Sequence, residues 1–206
     1  AHIRHGMKAV HGAIESIRID AKTLEVHCET VGHQKPVGIC GSGILDAVAE
    51  LLRCRVINFK GRFQKHQSRR LVEFSGERAF ILAESGQTST GDPVVITQRD
   101  IGEVQLAKAA IHAGCRILMS RTGIKTSELK RVYIAGSFGN YINPSSAKLV
   151  GMIPEVSEDI IKFVGNTAIA GARMCLISED AKRQAKSISE EVEYIELGAD
   201  PTFPKE

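Results

Sequence analysis

The sequence predicts an α/β protein with a mixed sheet flanked by helices, and three observations carry that prediction. Strand-like alternation fills much of the first forty residues. Three β-rich segments end in small residues and pass into helical sequence: at Gly41, Ser42 and Gly43, at Gly136, Ser137, Phe138, Gly139 and Asn140, and at Gly165, Asn166 and Thr167. A long helical run over residues 98–122 stands between the first and second of these. A strand that ends in glycine and feeds a helix is where an α/β sheet receives ligands. Glycine lets the backbone come close, and the first amides of the helix offer donors to anionic groups.

Taken in order, residues 13–20 alternate in part, and residues 24–28 alternate again after a turn at 20–23. Residues 37–40 form a short strand ahead of Gly41, and a helix follows with Ile44, Leu45, Val48, Leu51 and Leu52 on its apolar face. The middle, 54–97, looks variable. Lys60, Arg62, Lys65, Arg69 and Arg70 read as a solvated basic loop, residues 71–74 and 79–83 as a hairpin, and 94–96 as a short strand after a loop rich in Ser, Thr and Gly.

At about 100° per residue, Ile101, Val104, Ile111, Cys115 and Leu118 share one stripe of the long helix. Lys108 falls on its margin, with Gln105 and His112 alongside. A lysine there either lays its stem along apolar surface with its head in water or points into a cleft. Gly123 suits the helix end. After the strand at 132–135, Pro144 opens a short helix and residues 160–164 read as a strand. The helix from Thr167 is rich in Ala and Gly and is expected to pack close to the sheet. An exposed charged helix over 180–191 and a closing strand over 192–197 complete the chain.

Composition narrows the function. Hydrophobic residues at 43% and charged residues at 25% are ordinary for a globular protein. A net charge of +3 is too small to argue for nucleic acid, and 5% aromatics with no Trp provide no row of stacking platforms for a single strand. No apolar run is long enough to cross a bilayer and no signal peptide is evident, so neither nucleic acid nor membrane is an expected partner and a cytoplasmic location is expected. Cys28, Cys40, Cys54, Cys115 and Cys175 lack Cys-x-x-Cys spacing, so no metal site is expected within the chain. They read as small buried residues of a reducing compartment. The histidines read as solvated or hydrogen-bonded. The chain begins at Ala1 and runs directly into patterned sequence, as a piece of a longer protein would.

Each glycine turn alone fits a plain strand–helix joint as well as a ligand site. The turn at Gly41, Ser42 and Gly43 is neither a Walker A loop nor a dinucleotide fingerprint, since the required spacing is absent. Several motifs together carry more. His2-Ile3-Arg4-His5-Gly6-Met7, Gly38-Ile39-Cys40-Gly41-Ser42-Gly43-Ile44-Leu45-Asp46, Thr97-Gln98-Arg99-Asp100-Ile101, Gln105-Leu106-Ala107-Lys108-Ala109-Ala110-Ile111, Val132-Tyr133-Ile134-Ala135-Gly136-Ser137-Phe138-Gly139-Asn140-Tyr141, Phe163-Val164-Gly165-Asn166 and Glu193-Tyr194-Ile195-Glu196-Leu197 run from end to end of the chain. In this order they resemble the C-terminal domain of the reductive activators of corrinoid proteins, a branch of the sugar kinase/heat-shock-70/actin fold.

The resemblance implies the second half of an actin-like, ribonuclease H-like ATPase fold. Residues 1–206 would be a single domain with a variable hairpin insertion around 58–92. It implies that Gly41, Ser42 and Gly43 approach the nucleotide and that Gln105 and Lys108 flank the base or ribose. Gly136, Ser137, Phe138, Gly139 and Asn140 would form the adenosine turn. The implied cofactors are ATP or ADP with Mg2+, bound weakly by this chain alone, and an iron–sulfur cluster in a domain upstream of Ala1. The implied partner is the corrinoid protein of a methyl-transfer system in anaerobic metabolism, whose cob(II)alamin receives an electron driven uphill by ATP. The catalytic residues are not assigned. Two alternatives stand beside this reading: a docking module that contacts the corrinoid protein or pairs two copies into a homodimer, and a small-molecule kinase of the same fold.

Overall fold

The computed structural model describes residues 3–136 and 142–199. The chain forms two compact units, one of residues 1–112 with 142–155, the other of residues 113–141 with 156–206. Within the first, strands β1 (Ala13–Ile19), β2 (Val26–Thr30) and β3 (Gly38–Ile39) form a sheet in the order β2-β1-β3. β1 pairs antiparallel with β2 and parallel with β3. A register shift between Ile14 and Ser16 explains why β1 alternates only in part: Ala13 and Ile14 are both buried ahead of it, and Ile17 and Ile19 are buried beyond it. Asp20 holds the turn to β2, its Oδ1 accepting from the backbone N–H of Lys22 and Thr23.

Helix α1 (Gly41–Arg53) follows β3 directly and packs on β1. Strands β4 (Leu71–Phe74), β5 (Glu77–Ala83) and β6 (Val94–Thr97) then make a second, antiparallel sheet in the order β4-β5-β6. Helix α2 (Gln98–Thr122) begins at a reciprocal cap. Asp100 Oδ2 accepts from Thr97 N at 2.8 Å while Thr97 Oγ1 accepts from Asp100 N at 3.2 Å. One apolar core joins these elements, with Ile14, Ile17, Leu45, Leu51, Phe80, Ile96 and Ile101 almost fully buried. Helix α3 (Pro144–Leu149) contributes Ala147 to that core. Its cap is Asn143, whose side chain accepts from Ser145 N and Ser146 N.

In the second unit, β7 (Val132–Ala135) and β8 (Ile161–Gly165) form a parallel pair. Helices α4 (Thr167–Ile177) and α5 (Glu179–Glu191) pack on one another and are capped by Asn166 and Ser178. The end of α2 closes as expected. Gly123 takes φ +70, and the N–H groups of Gly123 and Ile124 return to Ser120 and Met119.

Four expectations need correction. Ile111 and Leu118 of the α2 stripe are exposed, and Ala113 and Ile117 are buried in their place. A single stripe assumes one packed layer along the whole helix, whereas α2 passes from one compact unit to the other after His112. Arg70 is not solvated. Its side chain is 4% exposed and Nη2 bonds Glu25 Oε2 at 2.8 Å, a partner 45 residues away that charge spacing along the loop could not reveal. No residue of α4 is buried, so its small residues do not mark a tightly covered face. Residues 192–196 pair with no strand among the described residues, and Leu197–Ala199 is a 3-10 turn. Their alternation lacks the neighbour that makes a strand.

Candidate functional site

The first candidate turn is the opening of α1. Cys40 precedes it in extended conformation, and Ser42 and Gly43 are buried while Gly41 is half-buried. Ser42 Oγ lies 3.3 Å from Cys40 Sγ. An added Cβ on Gly43 would overlap the carbonyl oxygen of Ile14, so this glycine lets the helix sit directly against β1. Of the three residues, Gly41 keeps the most open backbone.

Further along α1, two carboxylates do work that the sequence reading did not assign to them. β3 is only two residues long, so β1 loses its parallel neighbour beyond Ile14. The orphaned N–H groups of Ile17 and Ile19 are taken by Asp46 Oδ2 at 3.4 Å and Glu50 Oε2 at 2.7 Å, one helical turn apart. Asp46 Oδ1 also accepts from Ser146 Oγ of α3 at 2.6 Å. Burial pushes the Asp46 carboxyl above its ordinary range, against the pull of the Ser146 and Ile17 donors. Burial acts the same way on Glu50, but the Arg53 guanidinium and the Ile19 N–H outweigh it and hold that carboxyl below its ordinary range. Arg53 bonds Glu50 through Nε and Nη2 at 2.9 and 2.7 Å. The signal in the sequence was a polar pair at i, i+4 inside an otherwise apolar helix.

The second candidate region lies on α2. Gln105 and Lys108, both half-buried, border a hollow of about 30 Å3 together with Val48, Leu52, Asn58, Phe59, Gly61 and Val150. Lys108 Nζ stands 3.5 Å from where a Cβ on Gly151 would be, and the ammonium is paired with no carboxylate among the described residues. Gly41, Ser42 and Gly43 lie at the other end of α1 from Val48 and Leu52 and do not line this hollow. Gln105 also borders an open groove of about 690 Å3 lined by Arg62, Arg78, Arg99, Glu77, Glu103 and neighbouring residues.

Between hollow and groove stands a hairpin that sequence reasoning passed over. Ile57 bridges Phe63, Asn58 N donates to Arg62 O at 3.0 Å, and Gly61 N donates to Asn58 O at 2.8 Å. Gly61 takes φ +66, the left-handed residue that closes a three-residue loop. Asn58 Oδ1 accepts from Lys60 N and Arg62 N, and the Gln98 side chain clamps the far side by donating to Gly61 O and accepting from Phe63 N. The Gln105 amide lies directly under Gly61. Its legible trace was Asn-Phe-Lys-Gly, a turn composition hidden within the basic loop.

Gly136, in the second unit, ends β7 at φ +103, and its N–H donates to Gly165 O at 2.7 Å. The remaining candidates, Ser137, Phe138, Gly139 and Asn140, lie outside the described residues. Among the described residues no group of three His, Cys, Asp or Glu is placed to hold a metal ion, and no helix is long and apolar enough to cross a membrane.

Comparison with known proteins matches residues 1–206 to the family model described as the C-terminal domain of RACo, the ASKHA domain. A corrinoid activation enzyme, RamQ, of Eubacterium limosum is 36% identical over 98% of this chain and 35% of its own length. A [Co(II) methylated amine-specific corrinoid protein] reductase of Methanosarcina barkeri is 26% identical over 81% of the chain and 27% of its own length. The chain thus spans about a third of the length of the curated relatives it matches. A solved reductive activator for a corrinoid, iron–sulfur protein superposes on the whole chain with a TM-score of 0.92 at 36% identity, over 33% of that structure. The chain belongs to the family of RACo C-terminal domains, and its fold is the ASKHA fold of that family.

Proposed function

We propose that this chain is the adenosine-facing half of an ATP-driven activator of corrinoid proteins, and that Gln105 and Lys108 hold the nucleotide on the first unit. The observation that carries the reading is Lys108. It is a half-buried ammonium without a carboxylate partner among the described residues, one turn from Gln105, at the rim of a hollow beside the turn at residues 58–62. A cation so placed fits an anionic or polyhydroxylated ligand.

ATP hydrolysis supplies the free energy that the uphill electron transfer requires. This chain's part is to bind and orient. Lys108 donates to the ribose or a phosphate, Gln105 supports the base side, and Gly41 offers open backbone at the start of α1. Gly136 leads into the turn at residues 137–140. The described residues offer no carboxylate cluster suited to Mg2+ and no cysteine cluster suited to an iron–sulfur centre. In the activator both belong with other parts of the protein, which works in the cytoplasm on a corrinoid protein partner.

Calorimetric titration of the chain with ADP tests the reading, and weak but saturable binding is the expected result. Lys108→Ala is expected to raise the dissociation constant roughly ten- to hundredfold, the equivalent of losing one charge-assisted bond of about 1.5–3 kcal/mol. Saturable binding that Lys108→Ala leaves unchanged returns this lysine to a surface role. No saturable binding by the unaltered chain overturns the assignment.

A further inference from the structure

Phe59 is the residue that the proposed site does not yet use. Its ring is 89% exposed, while Phe63, four residues on in the same hairpin, is 6% exposed and belongs to the core. The hairpin therefore takes its anchorage from Phe63 and needs nothing from Phe59. A single exposed apolar side chain on a loose loop would be unremarked, but this loop is tightly built. The bonds among Asn58, Lys60, Gly61 and Arg62 set its conformation, and the Gln98 clamp and the Gln105 amide beneath Gly61 set its position on α2. The backbone at Phe59 is thereby fixed, and the residue borders the same hollow as Gln105 and Lys108. Lys60 and Arg62, both exposed, add positive charge to the same hairpin.

We propose that Phe59 is the stacking platform for the base of the nucleotide, and that the hairpin exists to present it beside Gln105 and Lys108. This rests on the nucleotide-binding reading above and adds to it a residue and a contact. The hollow itself, at about 30 Å3, has room for about one water. A base would therefore lie over it, one face against the phenyl ring, with Lys108 reaching the sugar or phosphates. Stacking on a phenyl ring is tolerant of base identity, because every base presents a π-face. Recognition through stacking alone therefore leaves selectivity among bases on this side weak.

The test uses the full 206-residue chain and two variants at position 59. Phe59→Ala is expected to weaken ADP and GDP binding alike, by roughly ten- to hundredfold, and to leave binding of tripolyphosphate, which has no base, unchanged. The chain has no Trp, so Phe59→Trp places its sole indole at the contact. That variant is expected to bind ADP as well as or better than the unaltered chain and to lose indole fluorescence on adding ADP but not tripolyphosphate. Unchanged ADP affinity in Phe59→Ala, with the unaltered chain binding, overturns the stacking role alone. Equal loss for ADP and tripolyphosphate also overturns it, in favour of a general effect on the site. If Phe59→Ala instead abolishes binding of a corrinoid protein while ADP affinity holds, Phe59 is a protein contact and the proposal falls. Absence of ADP binding by the unaltered chain overturns this proposal together with the reading beneath it.

Discussion

The opening of α1 and the hairpin at residues 56–64 are both organised around a glycine with no room for a side chain, and they use it to opposite ends. At Gly43 the obstacle is backbone, the Ile14 carbonyl of β1, and what the glycine allows is burial. Ser42, Gly43 and most of the helix behind them vanish into the core. At Gly61 the obstacle is a side chain, with Gln105 Nε2 2.5 Å from an added Cβ, and what the glycine allows is display. The hairpin turns tightly enough to leave Phe59 in solvent. A glycine-rich turn ahead of a helix is the more familiar mark of a ligand site, but here its middle and last residues serve packing. The unremarkable loop is the one that meets the α2 residues by which a nucleotide would be held.

The largest effect expected from breaking this contrast is at Gly43. Gly43→Ala forces α1 away from β1 with no rotamer to relieve the overlap, so denaturant unfolding should register a loss of about 3 kcal/mol or more. A loss under 1 kcal/mol would show that the helix can shift freely and that the close approach is incidental.

Next comes Glu50, which completes the packing that Gly43 permits. Glu50→Gln is expected to cost about 2 kcal/mol near neutral pH, since a charged acceptor shared by Arg53 and Ile19 N becomes neutral. The folded carboxyl is held below its ordinary value of 4.5, so its contribution is present above that pH and is lost as pH falls through the folded value. The variant should flatten this acid limb of the stability profile. An identical limb in both proteins would assign the acid sensitivity to other groups.

Gly61→Ala should do least to the fold, about 1 kcal/mol, because Gln105 can swing aside and only the left-handed backbone remains strained. Its consequence should appear in ADP affinity instead, which calorimetry would read as a loss of severalfold with the core intact. If stability collapses as it does for Gly43→Ala, the turn at Gly61 is as necessary to the fold as the close approach at Gly43 and the contrast fails.

What the sequence determined by itself follows from local patterns that tertiary context did not override. Residues 98–122 carry helical periodicity between a Thr97–Asp100 cap and Gly123, and α2 has those bounds. The hairpin at β4 and β5 and the capped starts of α3 and α4 likewise rest on residues within a few positions of one another. The family was legible for a different reason: its motifs are spread along the whole chain, and their order is a one-dimensional property.

The tertiary structure decided whatever depends on partners distant in sequence. Glu25 is what buries Arg70, and Ile14 is what makes Gly43 obligatory. The shortness of β3 gives Asp46 and Glu50 backbone to hold, and the lack of a neighbour among the described residues leaves 192–196 without a strand. Phe59 belongs with these. A phenylalanine reads as core from its side chain alone, and only the fold, by spending Phe63 inward and clamping the turn with Gln98, sends its neighbour out into water. The reason is common to all of them: burial, pairing and exposure are relations between distant segments, and no window of sequence contains both members.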